Sequence, residues 1–209
     1  MDELPELTIA SGDWMLSVPP PAVPVPAAHV MDLHGRAAMA SDPGVGVLHD
    51  LRIVGDRDRD FVHVVTELDF WRSQYDAARP LNPRRLPIED VYVEHRLPYE
   101  PPSPGATPPP PPPTSNPSAL LRRLAPRPDL PGGRTPVPAR TAGHIYGRRI
   151  IQATPLGFAW DLRAVSEPYD DKALGIVVRL TSVPEFYRWL LTGSDPNYQP
   201  VSLHLLWTE

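Results

Sequence analysis

The chain has no cysteine, which excludes disulfides, thiolate chemistry and cysteine-ligated zinc. Lysine is almost missing too. Lys172 is the single lysine among 20 basic residues. That skew, with heavy use of Ala, Pro and Gly, reads as the mark of a GC-rich genome rather than of chemistry. No apolar run approaches the roughly 18 residues that span a bilayer, so no membrane is expected among the partners. The opening Met1-Asp2-Glu3-Leu4-Pro5 is acidic, unlike a secretory leader. The expected location is the cytoplasm, or a particle assembled there.

Positive charge is scarce where a nucleic-acid binder needs it. The formal net charge is −5, and only the segment 100–140 is net positive. A binder of nucleic acid would carry its basic stripe on a folded part, so nucleic acid is not an expected partner. There is also no G-x-S-x-G, no phosphate-binding loop, no dinucleotide fingerprint and no H-E-x-x-H. No catalytic residue, cofactor or metal site is therefore assigned.

What the chain has in excess is proline, 31 residues out of 209, about three times ordinary usage. The densest run lies between Tyr99 and Arg140 and contains Pro108 to Pro113 without interruption. The two sides of this run resemble each other. Gly46-Val47-Leu48-His49-Asp50-Leu51-Arg52-Ile53-Val54 aligns with Gly157-Phe158-Ala159-Trp160-Asp161-Leu162-Arg163-Ala164-Val165, with five of nine positions identical. Thr66-Glu67-Leu68-Asp69-Phe70-Trp71-Arg72 aligns with Ser182-Val183-Pro184-Glu185-Phe186-Tyr187-Arg188, so cap, acid, aromatic pair and arginine recur in order. His29-Val30 is set over His144-Ile145.

The organisation read from this is an extended N-terminal arm (1–27), a first β-rich repeat (28–99), a proline-rich linker or strap (100–141) and a second β-rich repeat (142–209). The fold class is α+β, each repeat running β-β-β-α-β. In the arm, Leu7–Ala10 and Trp14–Val18 read as short strands, and Pro19–Pro26 as extended chain. In the first repeat the strands are His29–Leu33, Gly46–Val54, Phe61–Val65 and Val91–Val93. The turn Gly55–Asp60 closes a hairpin, Thr66 caps a helix from Leu68, and Arg79–Pro87 is a loop. In the second, a strand runs from His144 through Ile151, followed by Gly157–Val165 and Gly175–Leu180. Ser182 with Glu185 makes a capping box, Gly193 stops the helix, and Val201–Trp207 is a closing strand. Modules of this size bury little apolar surface alone, so the two are expected to pack as an intrachain pseudo-dimer.

Candidate chemistry is sparse. Asp50 with Arg52, and Asp161 with Arg163, lie two apart on strands and should share a face, as structural ion pairs or as a polar site between repeats. Asp56, Asp58 and Asp60, with Glu67 at the twelfth position, superficially match a calcium loop, but Phe61 stands where glycine is needed. A solvated hairpin tip is the expected reading. None of the seven histidines forms a compact ligand pair. Ser118–Leu124 is a short helical pattern with Leu120, Leu121 and Leu124 on one face, too short to be stable unsupported.

The expected function is a non-catalytic structural or adaptor subunit of a larger assembly, such as a phage-like particle or contractile tail. Its partners would be other protein subunits. Trp14, Leu120, Leu121, Leu124, Trp71 and Tyr187 are the candidate partner-binding residues; one ring of each helical aromatic pair should enter the core and the other could meet a partner, the plainer reading being core or inter-repeat packing. The alternatives are an enzyme with its site between the repeats, using His29, His144 and the Asp-Arg pairs, or a signalling adaptor offering a proline-rich ligand.

Overall fold

A computed structural model describes residues 18–42, 44–76, 78–96 and 131–209. Trp14, Leu120, Leu121 and Leu124 lie outside the described residues, as do the two strands read in the arm up to Ser17, the helical pattern 118–124 and the proline run itself. What is described is mostly antiparallel sheet with two helices, an α+β chain. Its described residues divide into two compact units, one within Pro21–Arg134 with Tyr187–Gly193, the other Thr135–Phe186 and Ser194–Glu209 with residues 18–20.

The first unit is built on a six-stranded sheet. Its strands are β1 (Val23–Pro26), β2 (Ala37–Asp42), β3 (Gly46–Asp58), β4 (Phe61–Thr66), β5 (Arg84–Pro87) and β6 (Val91–His95), with helix α1 (Glu67–Tyr75) between β4 and β5. The order across the sheet is β1-β6-β2-β3-β4-β5. Ala38, Ala40, Leu51, Ile53, Val62, Val64, Val91 and Val93 form one buried cluster from the inner strands. β1 comes from the stretch read as an extended arm. Its prolines suit it to the edge position it takes, because Pro24 and Pro26 have no N–H for a second neighbour.

The second unit uses β7 (Val137–Pro138), β8 (Arg149–Thr154), β9 (Gly157–Ala164), β10 (Tyr169–Asp171), β11 (Gly175–Ser182), β12 (Gln199–Ser202) and β13 (Leu206–Thr208). The order is β10-β11-β9-β8-β13-β7, with β12 also paired to β11. Helix α2 (Val183–Thr192) follows β11. Ile145, Ile150, Ala164, Val178, Leu180, Val201 and Leu206 make the core here.

Several expected elements are placed differently. Ala27–His29 is a 3-10 turn and not the start of a strand; Ala139–Thr141 is another. The strands begin later, at Ala37 and Arg149. Leu33 and Ile145 instead anchor tight turns, their carbonyls accepting from the N–H groups of Arg36 and Arg148 at 3.1 and 3.0 Å. The same kind of turn thus precedes β2 and β8. β5 occupies part of the stretch read as a loop. The closing strand is split by a 3-10 turn at Leu203–Leu205, so β12 and β13 pair with different neighbours. The helix starts are as read. The Thr66 hydroxyl accepts the Asp69 N–H at 3.1 Å, and the Ser182 hydroxyl that of Glu185 at 3.5 Å.

Candidate functional site

Asp50 is bound by Arg134, and Arg52 binds Glu67. In each sheet the strand carrying the Asp and Arg two apart is bulged, with two residues set against one. His49 and Asp50 face Met39 between the pairs Ala38/Leu51 and Ala40/Leu48. Trp160 and Asp161 face Ile151 between Ile150/Leu162 and Gln152/Ala159. The extra residue is an aspartate in the left-handed region, φ 55° at Asp50 and 58° at Asp161, which Asp tolerates better than most residues. The break in alternation falls between Leu48 and Asp50, so Asp50 and Arg52 still share the face opposite the buried Leu51 and Ile53.

Each arginine joins a local construction. Arg52 Nη1 donates to the Gly35 carbonyl at 2.9 Å, and its guanidinium lies 6.0 Å from the centroid of the Phe70 ring. Arg163 Nη1 donates to the Gly147 carbonyl at 3.0 Å, 5.7 Å from the Phe186 ring. Gly35 and Gly147 both have φ 76°, and a Cβ there would meet the tips of those same rings at 3.8 and 4.0 Å. A left-handed glycine, a strand arginine and a helix phenylalanine thus interlock once in each unit.

In the first unit this construction continues into a buried charge cluster. Glu67, at the first position of α1, is 2% exposed. It accepts from Arg52 Nε at 3.0 Å and Nη2 at 2.5 Å, and from the Tyr187 hydroxyl at 3.2 Å. Trp71 stacks on Tyr187 at 6.2 Å between centroids and meets Phe70 edge-on at 5.2 Å. Tyr187 is 8% exposed. Tyr187 is thus buried with its hydroxyl bonded, and the half-buried Trp71 stacks on it. Glu67 is likewise spent, so it closes no calcium loop. Asp56 and Asp58 lie on β3, where Asp58 pairs with Arg85 at 3.3 Å. Among the described residues no group of acids and histidines is arranged to hold a metal.

His29 and His144 have unlike surroundings. His29 ends its 3-10 turn. The His144 ring contacts the Glu167 carboxylate, which also accepts from the backbone N–H groups of Ile145 and Tyr146 at 3.2 and 3.4 Å. The carboxylate thereby ties down the loop before β8.

The feature that sequence reasoning missed is the node around Arg134. Ala22 and Arg134 exchange both backbone hydrogen bonds, each at 3.1 Å. The Arg134 side chain reaches Glu94 Oε1 at 3.2 Å and Asp50 Oδ1 at 3.0 Å. The Glu94 side chain is 2% exposed and that of Arg134 19%. Gly133 makes the approach possible, since a Cβ there would lie 2.7 Å from the Ala22 carbonyl oxygen. One residue further along, Val23 pairs with His95. The chain thus leaves the sheet at His95 beside Val23 and returns at Arg134 beside Ala22. The only sequence signal was the Gly132-Gly133 pair. Asp50 and Glu94 carried none, because their partner lies across the proline-rich run.

The class defined by this architecture is an antiparallel α+β chain of two sheet units. No family model, curated protein or solved structure matches the chain.

Proposed function

We propose that this protein is a non-catalytic structural or adaptor subunit, and that its proline-rich segment is a loop offered to a neighbouring subunit. The observation that carries this reading is the convergence of the segment's two ends. His95 and Arg134 are partners of adjacent residues, Val23 and Ala22. A connector needs only to join two points, and these points are neighbours across one strand. Chain of this length, stiffened by proline, exceeds that need many times over. Its surplus is best explained by a contact it makes elsewhere.

The recurring glycine, arginine and phenylalanine construction supports the companion reading. The chain would be a duplicated β-module, two copies of one unit doing within a single chain what a homodimer does with two. A phage-like particle or contractile tail is the kind of assembly in which such tying loops are useful, because they add contact area without a large core.

The experiment replaces residues 98–129 with a short Gly-Ser bridge and keeps Pro131–Arg134. The full chain is expected to run in light scattering as part of a larger complex, formed with itself or with a co-expressed neighbour. The shortened chain is expected to fold and to run as a monomer. An assembly mass unchanged by the replacement would defeat the proposal.

A further inference from the structure

We infer that the cleft beside the end of α1 is a binding site for a small carboxylate. The cleft has a volume of about 210 Å³ and is walled by Asp69, Arg72, Ser73, Arg79, Leu81 and Asn82. That is below the usual range for a drug-sized ligand, and it suits a ligand of a few heavy atoms or the end of a longer one.

The charges in the wall are unequal. Asp69 is committed within the protein, one oxygen to Arg72 at 2.8 Å and the other to the Thr66 hydroxyl at 2.8 Å. Arg72 uses one nitrogen for that pair and keeps its other donors. Among the described residues, the Arg79 side chain has no hydrogen-bond or ion-pair partner. One acid against two guanidinium groups leaves a single positive charge. A monoanion closes that balance, whereas a phosphate dianion overshoots it.

The end of a helix ordinarily repels an anion, because its last carbonyls point outward. Here one of them, the Arg72 carbonyl, is occupied by the Asp76 N–H at 2.8 Å. The planar fork of Arg79 matches a carboxylate in a bidentate way that a point charge does not. The Asn82 amide supplies a further donor, and Leu81 gives the ligand's alkyl part an apolar wall.

The test uses the full chain, isotope-labelled, with sodium propionate as the probe at ionic strength held constant by chloride. Saturable shifts are expected at the amides of Ser73, Leu81 and Asn82, with no response to propionamide. Arg79→Gln should weaken binding at least tenfold and Arg79→Lys severalfold, with the rest of the spectrum unchanged. A peptide with a free C-terminal carboxylate, compared with its amidated form, separates two sources. Binding tighter than propionate assigns the site to a chain terminus, and equal binding assigns it to a free acid. Linear shifts, an equal response to propionamide, undiminished binding by Arg79→Gln, or tighter binding of inorganic phosphate would each overturn the assignment.

Discussion

At the scale of single residues, this protein uses its charges to hold backbone in place. Asp42 ends β2 and is 8% exposed. The Gly44 N–H, at 2.8 Å, and the neighbouring Arg84 guanidinium hold its carboxyl below the usual carboxylate range, against the opposing effect of burial. Such a group has a lower pKa folded than unfolded, where it titrates near about 3.9. It therefore contributes stability above that value, and the contribution is lost as pH falls through the folded one. Asp42→Asn should flatten the acid limb of stability against pH below about 4 while leaving the neutral-pH slope alone, as read by urea unfolding at stepped pH. The Glu67 cluster gives an ordered pair of outcomes. Arg52→Ala leaves a carboxylate buried without its cation and should cost about 3 kcal/mol. Tyr187→Phe removes one hydrogen bond and should cost about 1 kcal/mol. Equal losses in denaturant midpoints would show that Glu67 is not held chiefly by Arg52.

At the scale of elements, the two helix starts invite a direct comparison. Thr66 accepts the Asp69 N–H at 3.1 Å and donates to the Asp69 carboxylate at 2.8 Å, whereas Ser182 accepts the Glu185 N–H at 3.5 Å. Thr66→Ala should then cost about 1 kcal/mol and Ser182→Ala clearly less, measured by thermal melts of both variants. These starts were legible in sequence because capping chemistry is local. β3, β4 and β11 were legible because their β-branched residues sit between turn signals, and β9 because its sequence resembles that of β3. β2 was not. Ala37-Ala38-Met39-Ala40-Ser41-Asp42 lacks the branched residues that mark a strand, yet five of its six residues are buried. Small side chains are what a strand buried on both faces takes when space is tight. The split of Val201–Trp207 was hidden for the opposite reason, a run of apolar residues with no glycine, proline or asparagine to mark the turn. The partners of Asp50 and Arg52 were hidden because Arg134 and Glu67 lie far along the chain from them, and nothing local announces a bulge whose extra residue is an aspartate.

At the scale of the whole chain, the proline-rich segment is either spare length or a ligand, and loop entropy separates these from a third case, docking on the protein's own surface. The ends of the segment are held by the Ala22–Arg134 bridge and the Val23–His95 pairing. Closing a flexible loop costs more as it lengthens, by about 0.6 kcal/mol per doubling. Replacing residues 98–129 with a bridge a quarter as long removes two doublings. It should therefore stabilise the chain by about 1 kcal/mol, provided the segment makes no contact with its own body. A segment docked on its own sheets would lose that contact, and the shortened chain would be less stable instead. Gly133→Ala serves as the control. It leaves the segment intact but drives a methyl group to 2.7 Å from the Ala22 carbonyl oxygen, which should cost about 1–3 kcal/mol through displaced backbone. Stabilisation by the short bridge, destabilisation by Gly133→Ala and loss of the assembly mass in the first variant alone would together assign the segment outward. A short-bridged chain that melts earlier, with its assembly intact, would assign it to the protein's own surface and end the adaptor reading.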